Sequence, residues 1–364
     1  MHRFLCVFVN FIPESASVGE AGYAFKVSQE AQGGSDSQAL LRLFRLIWPG
    51  ALGAQAVYLA AKFRIPELLA GGAKTSEEIA RSTGTDRRTL HRLLRVLTSI
   101  GVLAQDEEER FRNTELGEAL SGDYAHNHAL FLAAPYAFRS LAGLEETLVT
   151  GRNSFETIEG KKFYQFLAEN PEANTAYHAA VNASAAKVAA GVLAAYDFSG
   201  FRKLVDVGGG QGHFLRELLL GCPELSAVLI DFPDVVAAAH IWCTGDLAQR
   251  CEIVAGDCTE WVPKGGDLYL LKGVLVDTSD EDALKILRNC RRAIRPDGRL
   301  LVLDTIYSPK SRSQEILLDI LMMSLIEGCD RNESEYRSLL QEAGFEWKRT
   351  IETPWLSILE SGPV

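Results

Sequence analysis

The sequence predicts an α/β fold in which a parallel sheet follows a winged-helix-like module and a helical bridge. Three observations predict it. The first is the stretch from Lys203 to Leu218, KLVDVGGGQGHFLREL, in which β-favouring Leu204, Val205 and Val207 run into a glycine turn. A helical pattern with Phe214, Leu215 and Leu218 on one side follows. The second is alternation. Short apolar runs at 203–207, 227–230, 251–254, 267–272 and 299–303 alternate with helical patterns near 212–220, 233–240 and 281–294. The third is a helix, turn, helix, hairpin pattern upstream, between Leu40 and Ser121.

In chain order, residues 1–38 read as an arm. Phe4 to Ile12 is too short an apolar run to span a membrane and lacks the flanks of a secretory signal, and the arm ends in the linker-like Gly33-Gly34-Ser35-Asp36-Ser37. The module at 39–121 comes next. Leu40, Leu43, Phe44 and Ile47 make one apolar face, and Ala51, Ala54 and Tyr58 extend it. Ile65-Pro66-Glu67 opens a turn of helix, Thr75-Ser76-Glu77-Glu78 offers a capping box, and Thr85-Asp86 offers a cap before Leu90, Leu93, Leu94 and Leu97. A polar turn, Gln105 to Arg110, separates Val102-Leu103 from Phe111. Such a module invites DNA reading through Arg87, Arg88, His91 and Arg92, but the wing carries Asp106-Glu107-Glu108-Glu109, the wrong sign for a phosphate backbone.

The bridge at 122–195 is helical and concentrates aromatic residues. Phe131, Tyr136, Phe163 and Phe166 at helical spacing either form core or wall a pocket, with His178 and Asn182 as polar neighbours. The remaining segment, 196–364, holds the sheet and closes with a hairpin from Phe345 to Glu352 and Trp355 to Glu360.

Composition narrows the function classes. The 364 residues suffice for two or three domains, and 47% of them are hydrophobic, ample for sizeable cores. A net charge of −11 opposes general affinity for nucleic acid, whose non-specific binding comes from phosphate neutralisation. The seven cysteines are scattered without a CxxC pair, so neither a disulfide frame nor a zinc site is indicated and a reducing cytoplasm fits. No metal is expected.

The glycine turn places bare backbone at the carboxyl end of a buried strand, where a ligand can lie against it. The spacing is G-x-G-x-G, with His213 where the dinucleotide fingerprint needs its last glycine, which argues against NAD. The second strand ends in Asp231, 25 residues beyond Asp206, positioned to accept both hydroxyls of a ribose. The third run leads into Gly256-Asp257 and the fourth into Lys272.

In combination and order, DVGGGQGHF at 206–214, LIDFPDVV at 229–236, GDCTEWVPKGGDLYLLKGVL at 256–275 and SDEDALKILRNCRRAIRPDGRLLVLD at 279–304 carry a resemblance. From about Leu40 to its C-terminus the chain resembles the class I S-adenosylmethionine-dependent O-methyltransferases of the plant caffeate and bacterial polyketide type. The resemblance implies a Rossmann-like methyltransferase sheet with a reversed last strand, and S-adenosyl-L-methionine as cofactor. It implies a homodimer built on the winged-helix module, and an aromatic or polyketide-type acceptor in natural-product biosynthesis. Gly208 and Gly210 would lie under the methionine part of the cofactor, Asp231 would hold the ribose, and Asp257 the adenine amine. Asp206, Phe232, Cys258 and Lys272 complete the implied cofactor set, with Cys258 replacing the usual Phe or Met beside the adenine. The bridge aromatics, His178 and Asn182 would wall the acceptor pocket.

One position departs from the family. The segment after the fourth strand reads Leu271-Lys272-Gly273-Val274-Leu275-Val276-Asp277-Thr278-Ser279-Asp280, so Val276 occupies the place of the family's histidine base while Asp277 survives. Its implied acidic partners correspond to Asp304 and Asp330, each one methylene shorter than the usual Glu. Three readings stay open. Methyl transfer can proceed by alignment and proximity, forgoing a general-base term of about 10² to 10⁴. Alternatively the fold is redirected to hydroxylation, decarboxylation or ring formation. The last is an inactive dimeric binding protein.

Overall fold

The computed structural model describes residues 50–308, 311 and 313–364. The expected arm at 1–38 and the face of Leu40, Leu43, Phe44 and Ile47 lie outside these residues. The described chain forms two compact units, 50–138 and 139–364.

In the first unit, a helix over 50–62 precedes helices Ile65–Leu69, Ser76–Thr83 and Arg87–Ser99, and then strands β1 (Leu103–Gln105) and β2 (Phe111–Asn113). The capping box at Thr75 forms. Glu78 donates its backbone N–H to Thr75 Oγ1 at 3.3 Å, and Glu78 Oε2 accepts from the Thr75 N–H at 2.7 Å. Asp86 caps the next helix through the Thr89 N–H at 2.8 Å. β1 and β2 pair antiparallel with Leu103 opposite Asn113, and Ile65, Ile79, Leu94, Leu97 and Phe111 form a core beneath them. Each such side chain contributes about 1.5–3 kcal/mol by leaving water. Helix, turn, helix and wing are therefore present as the sequence reads. Arg87, on the candidate reading helix, lies 3.8 Å from Glu77.

The second unit opens with five helices, Leu144–Thr150, Ser154–Glu159, Phe163–Glu169, Pro171–Asn182 and Ala185–Ala195. Seven strands follow: β3 (Lys203–Val207), β4 (Ser226–Asp231), β5 (Cys251–Ala255), β6 (Leu268–Lys272), β7 (Arg299–Asp304), β8 (Phe345–Glu352) and β9 (Ser357–Pro363). They form one sheet in the order β5-β4-β3-β6-β7-β9-β8. β3 to β7 are mutually parallel, whereas β9 runs antiparallel to both β7 and β8. From β3 the chain winds outward through β4 and β5, then returns to lay β6 on the other side. The carboxyl ends of β3 and β6 therefore flank the topological switch point, where α/β sheets bind ligands.

Three expectations need correction. The last strand begins at Ser357 and reaches Pro363, because Thr353 accepts the Trp355 and Leu356 N–H groups on its hydroxyl and holds those residues in a turn. The helical pattern near 233–240 divides into Pro233–Val236 and a 3₁₀ segment, Ala237–Ile241. Two helices between β7 and β8, Ser313–Leu325 and Glu333–Glu342, were not anticipated. The second carries a sequence signal, since Asn332 and Glu335 form a capping box.

Candidate functional site

The glycine turn is built by contacts that exclude side chains. Gly208 has φ +76°, and a Cβ there would sit 2.6 Å from Val274 Cγ2 on the segment after β6. At Gly209 a Cβ would come within 2.2 Å of Asp206 Oδ2, so the buried Asp206 carboxylate lies directly under the turn. Gly210, with φ +67°, faces open space instead. Asp231, 1% exposed, ties the turn down: its Oδ2 accepts the Gly210 N–H at 2.8 Å and its Oδ1 the Phe232 N–H at 2.5 Å. Gln211 is held from two sides, its carbonyl by Trp242 Nε1 at 2.7 Å and its side-chain oxygen by Asn182 Nδ2 at 2.8 Å.

A cavity of about 410 Å³ opens over this turn, bounded by His178, Asn182, Gly210, Gln211, Phe214 and Lys272. Lys272 is buried at the end of β6, with its Nζ 5.3 Å from the centre of the Phe214 ring. One strand beyond β4, Asp257 accepts from the N–H and hydroxyl of Thr259 at 2.8 and 2.7 Å. Asn289 fixes the same turn through the carbonyls of Cys258 and Thr259, both at 3.0 Å. The Gly256 N–H donates to the Asp231 carbonyl at 2.9 Å, so Asp257 and Cys258 directly follow a residue bonded to Asp231.

These residues fit S-adenosylmethionine. Open space over Gly210 admits a ligand against bare backbone, and each carboxylate oxygen of Asp231 has acceptor capacity beyond one amide bond.

A second cavity, about 250 Å³, includes Asn153, Phe163, Tyr164, Asp277, Leu325 and Ile326 in its wall. Asp277 is fully buried, and its Oδ2 accepts from the Tyr164 hydroxyl at 3.0 Å. Tyr164 and Tyr177 bring their hydroxyls within 3.4 Å, and Tyr177 also lines the first cavity. The loop carrying Val276 and Asp277 is clamped from below. Arg331, 2% exposed, donates to the carbonyls of Leu275 and Thr278, the latter at 2.7 Å, and to Asp280 Oδ1 at 2.8 and 2.9 Å. Gly328 lies against the same loop so closely that a Cβ would meet the Val276 carbonyl oxygen at 2.2 Å.

Val276 is itself fully buried. Asp304, at the end of β7, accepts from the Tyr336 hydroxyl at 3.1 Å and faces the backbone N–H groups of Gly273 and Val276. Burial pushes its carboxyl up to about 7, against the lowering effect of the Tyr336 hydroxyl, Arg331 and those amides. Asp330 is half-buried, and its backbone N–H donates to Asp319 Oδ1 at 3.0 Å.

Of the residues expected to wall an acceptor pocket, His178 and Asn182 line the first cavity and Phe163 the second. Phe166 instead packs edge-on against Phe155, with ring centres 5.3 Å apart. Phe131 and Tyr136 are buried within the first unit, and burial pushes the Tyr136 hydroxyl above its ordinary range. Sequence reasoning missed Gln211, Tyr177, Trp242 and Arg331. Gln211 stood inside the glycine motif, but nothing local marks the other three, whose roles come from chain segments far away in sequence. Among the described residues no cluster of three or more His, Cys, Asp or Glu could hold a metal, and no helix is long and apolar enough to cross a membrane.

Comparison with known proteins agrees with the fold. Residues 141–346 match the O-methyltransferase domain family and residues 49–123 the O-methyltransferase dimerisation domain family. The mitomycin biosynthesis 6-O-methyltransferase of Streptomyces lavendulae is 37% identical over 310 residues, 84% of this chain and 89% of the relative. Among solved structures, a mitomycin 7-O-methyltransferase superposes with a TM-score of 0.88 at 34% identity, covering 91% of this chain and all of that one. An O-methyltransferase from neocarzinostatin biosynthesis, solved with S-adenosyl-L-homocysteine and 1,4-dihydroxy-2-naphthoic acid, superposes at 0.79 and 28% identity. That match covers 86% of this chain and 96% of that one.

Proposed function

This chain belongs to the O-methyltransferase family, and from that premise we propose that it methylates a hydroxyl of an aromatic or polyketide-type small molecule in natural-product biosynthesis. The methyl donor is S-adenosylmethionine, which brings a methyl group already activated for displacement on a sulfonium. Gly208, Gly210 and Lys272 form the cradle for its amino-acid end, Asp231 takes the ribose hydroxyls, and Asp257 with Cys258 takes the adenine. Asp206 and Phe232 hold the glycine turn and the Asp231 corner in shape. Phe163 contributes to the acceptor wall, and His178 and Asn182 line the donor cavity beside it.

Val276 removes the family's histidine base, so alignment carries most of the rate enhancement. The single observation that carries the reading is the Asp231 carboxylate bonded to the Gly210 N–H beneath an open cradle. The relative solved with a naphthoic acid supports a planar aromatic acceptor. A homodimer through the first unit is supported by its match to a dimerisation domain, and a reducing cytoplasm by six free cysteines among the described residues.

The test has two parts. Asp231→Asn keeps the size and one acceptor oxygen but loses the charge, and by calorimetry it should bind S-adenosylmethionine about 10- to 100-fold more weakly, the cost of charge-assisted hydrogen bonds. Unchanged affinity would remove the assignment of β4. Turnover is then read with 1,4-dihydroxy-2-naphthoic acid and related naphthols, where a methylated hydroxyl is expected. Tight binding of S-adenosylmethionine with no methylation of any hydroxylated aromatic would instead favour a redirected reaction on this fold.

A further inference from the structure

We propose that Asp277 is the proton acceptor for the acceptor hydroxyl, with Tyr164 as the residue that positions it; this rests on the function proposed above. The Val276 position cannot take a proton, yet the residue after it ends in a fully buried carboxylate on the wall of the second cavity. Burying a carboxylate is costly unless it is hydrogen-bonded, and Tyr164 supplies a phenolic donor at 3.0 Å. Tyr164 is in turn fixed by Phe163 and Tyr177, at ring-centre separations of 5.4 and 6.0 Å, edge-on in both cases. Tyr177 reaches the cofactor cavity, so the Tyr164–Tyr177 hydroxyl pair marks the partition between the donor and acceptor spaces. A hydroxyl seated in the second cavity and facing that partition has Asp277 on its side. Charged groups near the Asp277 loop include the Lys162–Glu327 pair at 3.1 Å on the cavity wall, Arg331 with Asp280 at the base of the loop, and Asp304, which faces the Val276 amide.

In this assignment the acceptor oxygen forms a bond to the methyl carbon as its proton passes to an oxygen of Asp277. The carbon–sulfur bond breaks, its electron pair stays on sulfur, and Asp277 later returns the proton to water. Tyr164 remains protonated, and its hydroxyl stabilises the charged form of Asp277 through their hydrogen bond.

The experiment compares two acceptors of different acidity. 2-Naphthol is protonated at neutral pH, whereas 4-nitrophenol is largely ionised at pH 8. Asp277→Asn should lower kcat/KM for 2-naphthol by about 10² or more, the size of a general-base contribution, and change the rate with 4-nitrophenol by less than about threefold. Tyr164→Phe removes a donor to the carboxylate, so the acid limb of the 2-naphthol profile should move to higher pH, a shift that loss of packing alone would not cause. Equal losses on both acceptors with Asp277→Asn, or an acid limb that Tyr164→Phe leaves in place, would overturn the assignment. Wild-type protein that binds S-adenosylmethionine but methylates no hydroxylated aromatic, these two and 1,4-dihydroxy-2-naphthoic acid included, overturns the proposed function itself, and this assignment with it.

Discussion

Asp304 is a carboxyl sealed from water, and its proton is a stability statement. In the fold it titrates at about 7, pushed up by burial, whereas in an unfolded chain a carboxyl titrates near ~3.9. Between those values the folded state binds the extra proton, so its contribution is present in full below about pH 4 and is lost as pH rises through about 7. Asp304→Asn keeps an acceptor for the Tyr336 hydroxyl but cannot ionise. The difference in melting temperature between variant and wild type should therefore grow in the variant's favour from pH 5 to pH 8. Parallel curves would mean that Asp304 is ionised across that range. The same residue faces the Val276 amide, so the carboxyl that the resemblance pairs with a histidine here supports backbone instead.

At the scale of the element, the segment from Gly273 to Ser279 carries the acceptor chemistry and is held only in part by its own sequence, through the Thr278 N–H and hydroxyl on the Leu275 carbonyl. It is neither helix nor strand, and two of its carbonyls are satisfied by the Arg331 guanidinium. Removing that guanidinium takes the donor from the buried Thr278 carbonyl, at about 1–3 kcal/mol, whereas the Leu275 carbonyl keeps the Thr278 N–H at 3.1 Å and the Thr278 hydroxyl at 2.8 Å. Asp280 is 73% exposed, so its ion pair with Arg331 adds little. Arg331→Met should destabilise the protein by about 1–3 kcal/mol. Gly328→Ala should push the loop through a Cβ placed 2.2 Å from the Val276 carbonyl oxygen. Neither change touches the glycine turn. Both are expected to lower kcat for 1,4-dihydroxy-2-naphthoic acid at least tenfold, while calorimetry shows S-adenosylmethionine affinity within about threefold of wild type. A matching loss of cofactor affinity would show that the loop and the glycine turn move as one.

At the scale of the molecule, the first unit leaves Leu52 57% exposed and Leu116 54% exposed, with Phe63 and Val96 more than a third exposed. Apolar side chains in this number on a module matching a dimerisation domain are best covered by another copy. Light scattering at micromolar concentration should give twice the 39.9 kDa chain mass. The 39.9 kDa value itself would remove the dimer.

The sequence by itself determined the order of the sheet strands, the glycine turn after the first of them, the acids that end the next, and the valine at 276. Those features are local: a strand, glycines and a helix adjoin in the chain, acids end the next strands, and Val276 is simply not a histidine. Capping at Thr75 and Asp86 was legible for the same reason, since a cap and its target lie within four residues. The tertiary structure alone decided which distant groups meet. Tyr164 reaches Asp277 across 113 positions, Ser140 reaches the Ser324 carbonyl across 184, and Arg331 reaches Leu275 across 56. Aromatic residues at helical spacing read alike whether they become core or cavity wall. Both Phe163 and Phe166 meet Phe155 edge-on, and only packing puts Phe163 on the wall beside Asp277. A side chain's role depends on what lies opposite it, and periodicity along one helix says nothing of the opposing surface.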